Sequence, residues 1–105
     1  DRLPAGFTPV VVDPRVEPVH HVAVVRTADR SAACHALDRA GVGWGLHYPV
    51  PCHMQPAFAG LADRPLPVVE AAAAQILSLP MSPTLTDSQI VLACEALASS
   101  LAAGT

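Results

Sequence analysis

At 105 residues and 51% hydrophobic, the chain has room for about one small domain, but much of that share is alanine and only four residues are aromatic, so the expected core is thin and built from Val, Leu, Ile and Ala. A formal charge of −3 with six scattered arginines excludes nucleic acid as the natural partner, since phosphate binding needs a basic patch. No apolar run approaches the roughly 20 residues that span a bilayer, no signal peptide is visible, and Cys34, Cys52 and Cys94 lack close spacing, so free thiols in a reducing cytoplasm are expected.

The first eighteen residues hold Pro4, Pro9, Pro14 and Pro18, a spacing that predicts an extended, irregular arm, with Val10-Val11-Val12 as a short edge strand. Val19 to Arg26 alternates as the best strand, with Val22 and Val24 on one face and His21, Ala23 and Val25 on the other. His21 is expected to be buried against a carbonyl, and Arg26 to be a solvated or ion-paired strand end. Asp29 to Ala40 reads as a helix capped by Thr27 or Asp29 and terminated at Gly41, with Leu37 one turn after Ala33. Val42, Trp44 and Leu46 alternate with glycines and predict a second strand, whose bare face lets a backbone or ligand approach.

The segment from Gly45 to Phe58 then sets His47, Tyr48, Cys52, His53 and Gln55 among Pro49, Pro51 and Pro56. Proline restricts both its own φ and the preceding residue, so such a segment holds polar side chains in place without a helix or strand beneath it. Pro56 starts a short helix through Phe58, and Pro67 a longer one from Val68 to Leu77 with Val69, Ala73 and Ile76 on one face. Leu79 to Pro83 is a loop or a very short strand. Thr86 and Gln89 form a capping box for the last helix, Leu85 and Ile90 a hydrophobic staple, and Ile90, Cys94, Leu97 and Leu101 its apolar face. Strand, helix, strand and then helices predict an α+β, two-layer sandwich: a small, mainly antiparallel sheet with helices on one face.

Several residues match a known family in its own order. They are His21 with Val24-Val25-Arg26, Gly41-Val42-Gly43 leading into Gly45-Leu46-His47-Tyr48-Pro49-Val50-Pro51, then His53 and Gln55-Pro56-Ala57-Phe58. Pro67 and Glu70 follow, then Leu77-Ser78-Leu79-Pro80-Met81, Pro83, Leu85-Thr86-Asp87 and Gln89-Ile90. In these pieces the chain resembles the C-terminal region of the DegT/DnrJ/EryC1/StrS family of pyridoxal-phosphate-dependent sugar aminotransferases. Ala23 stands where the family usually has an aromatic residue, Trp44 replaces a smaller one, and the loop from Leu61 to Pro67 is short.

The resemblance implies the small C-terminal domain of a fold-type I aminotransferase over residues 1–105, with 1–18 as arm and 19–105 as core, and without the large cofactor-binding domain. It implies a parent enzyme, commonly a homodimer, that moves an amino group, usually from glutamate, onto a nucleotide-linked keto-sugar. It places His47, Tyr48 and His53 at the substrate. Read as residues alone, His47 and Tyr48 could instead form a rigid turn that packs the two layers together, His53 could bond a backbone carbonyl, and Gln55 is structural. All six basic residues are Arg2, Arg15, Arg26, Arg30, Arg39 and Arg64. With no lysine, the chain has no side-chain amine to engage pyridoxal phosphate. It is therefore expected to carry no catalytic residue and no cofactor of its own, and, beginning at Asp1, to be a piece of something longer.

Two other functions compete. One is a non-catalytic module that binds a sugar nucleotide or a partner subunit. The other is a small zinc domain drawing on His20, His21, His47, Cys52 and His53, whose spacing matches no strong zinc pattern. Ser99, Ser100 and Cys34 have no base at a telling distance for a nucleophilic triad.

Overall fold

A computed structural model describes residues 2–103. Three strands, β1 (Thr8–Pro9), β2 (Ala23–Arg26) and β3 (Ile76–Leu79), form an antiparallel sheet in the order β1-β2-β3. Three helices accompany it: α1 (Arg30–Arg39), α2 (Pro67–Gln75) and α3 (Asp87–Ala103). Val25 and Leu77, register partners on the central and third strands, join one buried cluster with Ala33, Cys34 and Leu37 of α1 and Ala96 and Leu97 of α3. Helices α1 and α3 therefore cover one sheet face, as the two-layer expectation required. The fully buried Leu37, Leu77 and Leu97 come one each from α1, β3 and α3. Phe7 completes the core from within the proline-rich arm, and isoleucine contributes nothing fully buried.

The helix ends follow their local signals. Asp29 is the cap of α1: its carboxylate accepts the Ala32 N–H at 3.0 Å. At the other end Gly41 adopts a positive φ of 70°, its N–H donates to Asp38 O, and the Val42 N–H donates to Leu37 O. This is a Schellman ending, with Val42 packed against the core cluster that holds Leu37. For α3 the capping box is complete: Thr86 N–H donates to Gln89 Oε1 at 2.9 Å and Gln89 N–H to Thr86 Oγ1 at 3.2 Å. The buried face of α3 is Ala93, Ala96, Leu97 and Ser100, so the expected stripe is right at Leu97 but too wide at Ile90 and Leu101, which are exposed.

The strands depart from their predicted limits. The arm pairs two residues earlier than expected, at Thr8–Pro9, and only Val10 of the valine triplet reaches the sheet, donating to Val24 O. Strand β2 starts at Ala23 because His20 sits at a positive φ of 51°, which breaks the extended run from Val19. His21 is exposed rather than buried. Arg26 is neither free nor ion-paired: its Nε and Nη2 both donate to Gln75 Oε1.

The strand expected over Val42 to Leu46 is absent. Val42 is committed to the end of α1, and Trp44 folds back to donate from Nε1 to Asp38 Oδ1 at 2.8 Å. What remains is a single antiparallel bridge between Gly45 and Ser78. The helix expected to reach Leu77 stops at Gln75. Ile76 turns extended and Ile76–Leu79 pairs residue for residue with β2, so sheet pairing overrides the helical tendency of the alanine run. Arg30 Nη1 donates to the carbonyls of Ala73 and Ile76 at this junction and supplies partners that the helix end lacks.

Candidate functional site

Side chains alternate across β3, so Leu77 and Leu79 face the helices while Ile76 and Ser78 face the other way. That second face carries the polar corner. The Gly45–Ser78 bridge brings the loop alongside, with Gly45 N–H donating to Ser78 O at 3.1 Å and Ser78 N–H to Gly45 O at 2.8 Å. Two residues on, His47 lays its ring over Gly45 and places Nδ1 2.8 Å from Ser78 Oγ. The His47–Tyr48 peptide is cis. The two rings meet edge to face, with centroids 5.3 Å apart and planes at 82°. Tyr48 is 71% exposed, so the corner opens outward rather than into the interior.

The rest of the loop is braced separately. Pro51 is buried, and two 3₁₀ turns follow, Cys52–Met54 and Pro56–Phe58, the second where Pro56 predicts it. Gln55 Nε2 donates to Val50 O at 3.0 Å, the structural role expected of it. His53 does not take the backbone carbonyl weighed for it among the described residues: its Nε2 lies 3.2 Å from Glu70 Oε2. The same carboxylate oxygen accepts the Leu66 N–H at the start of α2, where no side chain of residue 66 can cap the helix. That backbone N–H first, and His53 second, hold the Glu70 carboxyl below its ordinary value. Helix α2 runs straight into β3, so both histidines are tied to one continuous segment, His53 at Glu70 and His47 at Ser78.

His47 and Tyr48 thus stand together at one exposed corner, and His53 is tethered further along the same loop. Glu70 and Ser78 carry no predicted role, since they lie 17 and 31 residues from the histidines they hold. Membership of the matched Leu-Ser-Leu-Pro-Met run is the one sequence signal attached to Ser78.

The chemistry available is hydrogen bonding and stacking. Among the described residues no three His, Cys, Asp or Glu side chains converge as a metal site, so the zinc alternative finds no donor set. The Ser99 and Ser100 hydroxyls are spent on the Ala96 and Leu97 carbonyls. Cys34 is buried, and burial pushes its thiol up, away from the reactive thiolate. A groove of about 1170 Å³, bordered by Val10, Val12, Met81, Leu85 and Ile90, touches none of His47, Tyr48 or His53. Cavity and polar corner are different places, and the corner is where side-chain chemistry gathers. Among the described residues no helix is long and apolar enough to cross a membrane.

Known proteins resemble the chain in sequence and in fold. The chain is 40% identical over 97 residues to a dTDP-3-amino-3,4,6-trideoxy-alpha-D-glucose transaminase of Streptomyces venezuelae, covering 90% of this chain and 25% of the relative. It is 42% identical over 73 residues to a UDP-2-acetamido-2-deoxy-3-oxo-D-glucuronate aminotransferase of Pseudomonas aeruginosa, covering 70% of this chain and 20% of that protein. Among solved structures, S. venezuelae DesV in complex with a ketimine intermediate superposes with a TM-score of 0.81 at 39% identity, over 93% of this chain and 27% of DesV. The aminotransferase TlmJ of Streptoalloteichus hindustanus gives 0.80 at 26% identity, over 96% of this chain and 28% of its own. The chain spans about a quarter of the length of the S. venezuelae relative, the portion a small domain would occupy. The profile of the DegT/DnrJ/EryC1/StrS aminotransferase family matches residues 4–98, and with the sheet, the helices and the His47–Tyr48 corner in place, the chain belongs to that family.

Proposed function

We propose that this chain is the small-domain part of an aminotransferase acting on a nucleotide-linked keto-sugar, and that its His47–Tyr48 corner forms part of the substrate-binding wall. One observation carries this reading: within a chain of that family, a histidine and a tyrosine stand exposed yet braced, His47 held by Ser78 and Tyr48 edge-on to it. Exposed polar groups on a rigid support meet the ordinary requirement of a binding site. His53, on the same loop and bound to Glu70, is the third substrate contact in this reading. The names of the relatives, a dTDP-sugar transaminase and a UDP-sugar aminotransferase, support a nucleotide-linked substrate. Glutamate is the proposed amino donor, the intact protein is taken as a homodimer, and three free cysteines favour the cytoplasm.

The residues present do not fit pyridoxal phosphate. That cofactor needs an amine to hold its aldehyde, and the chain contains no lysine. No chemical step is assigned to this chain, which is silent on its own and contributes binding surface to a larger enzyme. Expression of the complete reading frame containing these codons tests the reading. The product is expected to carry bound pyridoxal phosphate, seen by its visible absorbance, and to move nitrogen from glutamate to a nucleotide-linked keto-sugar. A product that holds no cofactor ends the enzymatic reading.

The missing lysine also favours a second reading, a non-catalytic module that binds sugar nucleotides unaided. Calorimetry of this chain with dTDP-glucose separates the two, because a half-built site binds weakly and a self-sufficient module binds tightly.

A further inference from the structure

We infer that Ser78 is a positioning residue that locks neutral His47 into the form carrying its proton on Nε2, so that the corner presents one fixed hydrogen-bond donor to its ligand. The inference rests on the proposed substrate-binding role of His47. The starting point is the Ser78 hydroxyl. Ser78 is 5% exposed, and its Oγ has one hydrogen-bond partner among the described residues, His47 Nδ1 at 2.8 Å. A buried hydroxyl proton without an acceptor is costly. If His47 carried its proton on Nδ1, that proton would point at Oγ and the serine proton would have nowhere to go. With the serine donating to Nδ1 the pair is satisfied, and the imidazole proton is left on Nε2.

Contacts on two further sides hold the ring in the orientation that the serine selects. A Cβ at Gly45 would lie 3.0 Å from His47 Cε1, so the imidazole rests directly on glycine backbone. The Tyr48 ring meets the imidazole edge to face. The Gly45–Ser78 bridge fixes backbone and hydroxyl relative to one another, since Ser78 binds Gly45 through its main chain and His47 through its side chain. Nε2 has no partner among the described residues and belongs to an exposed side chain. The group offered outward is therefore an N–H, selective for a ligand acceptor atom.

Nitrogen-15 NMR of the histidine rings in this chain reads the lock without any activity assay. In the unaltered chain near neutral pH, His47 is expected to show an acceptor-type Nδ1, a protonated Nε2, and a contact between Hε1 and the Gly45 Hα protons. Ser78→Ala should lose that contact and move both nitrogens toward the averaged positions of a freely exchanging imidazole, while His53 stays unchanged. Ser78→Thr, which keeps the hydroxyl, should restore both signals. Gly45→Ala should displace the ring and lose the contact with Ser78 intact. A proton on Nδ1 in the unaltered chain, or His47 signals indifferent to Ser78→Ala, overturns the inference and leaves the aminotransferase reading untouched. Failure of amino transfer in the complete protein sinks that reading and leaves the lock standing.

Discussion

Replacing Arg30 by methionine tests how β3, the strand that carries Ser78, is held in place. Arg30 Nη1 donates to the carbonyls of Ala73 and Ile76, where α2 ends and β3 begins. Helix carbonyls at a C-terminus have no intrahelical donors, and the guanidinium charge lies at the negative end of the dipole. A hydrogen bond from a charged donor contributes about 1.5–3 kcal/mol. Two such bonds, discounted by about half because the site is only half-buried and water can replace the donor, give about 2 kcal/mol for Arg30→Met. Methionine keeps most of the stem packing, so the loss isolates the donor. For a domain of this size the change lowers Tm by about 8–16 °C. Arg30→Lys, whose ammonium lacks the planar fork, should recover about half of the loss. Urea unfolding followed by circular dichroism, with the denaturant slope unchanged, measures both. If Arg30→Met stays within about 0.5 kcal/mol of the parent chain, the junction is held by strand pairing alone and the reasoning is wrong.

Three further outcomes follow from the same geometry. Thr86→Ala removes one half of the α3 capping box and should cost about 1 kcal/mol by urea unfolding, with Thr86→Ser close to neutral. Glu70 is held below its ordinary value of 4.5 in the folded chain, so its contribution is present above that value and is lost as pH falls through the depressed folded value. The stability difference between the parent chain and Glu70→Gln should therefore close in acid, and a difference that widens there would falsify the assignment. Cys52 is exposed and should react with a thiol reagent in the native chain, whereas Cys34, buried and with its thiol pushed up by burial, should react only on unfolding; equal native rates count against the described core.

Both ends of α1 and the start of α3 were readable because their determinants are short-range. Asp29 caps the N–H three residues on, Gly41 and Val42 close α1 within one turn, and Thr86 and Gln89 serve each other. The strands were less legible. The alanine run before Ile76 favours helix, and nothing local says that Ile76–Leu79 will find Ala23–Arg26 some fifty residues earlier. Alternation over Val42, Trp44 and Leu46 misled because Val42 serves the end of α1 and Trp44 bonds Asp38. The core was thin and aliphatic as expected, but Phe7 entered it from an arm whose prolines marked it as irregular.

From the sequence alone came the family resemblance, carried by motifs matched in order along the chain, and also the absence of a side-chain amine, the three helices and the proline-framed segment at His47 and Tyr48, because composition and contacts three or four residues apart settle these last. Tertiary structure decided which residues brace the His47–Tyr48 corner and the loop that follows it. Ser78 reaches His47 across 31 positions and Glu70 reaches His53 across 17, and pairings at such separations depend on how the sheet closes rather than on any local pattern.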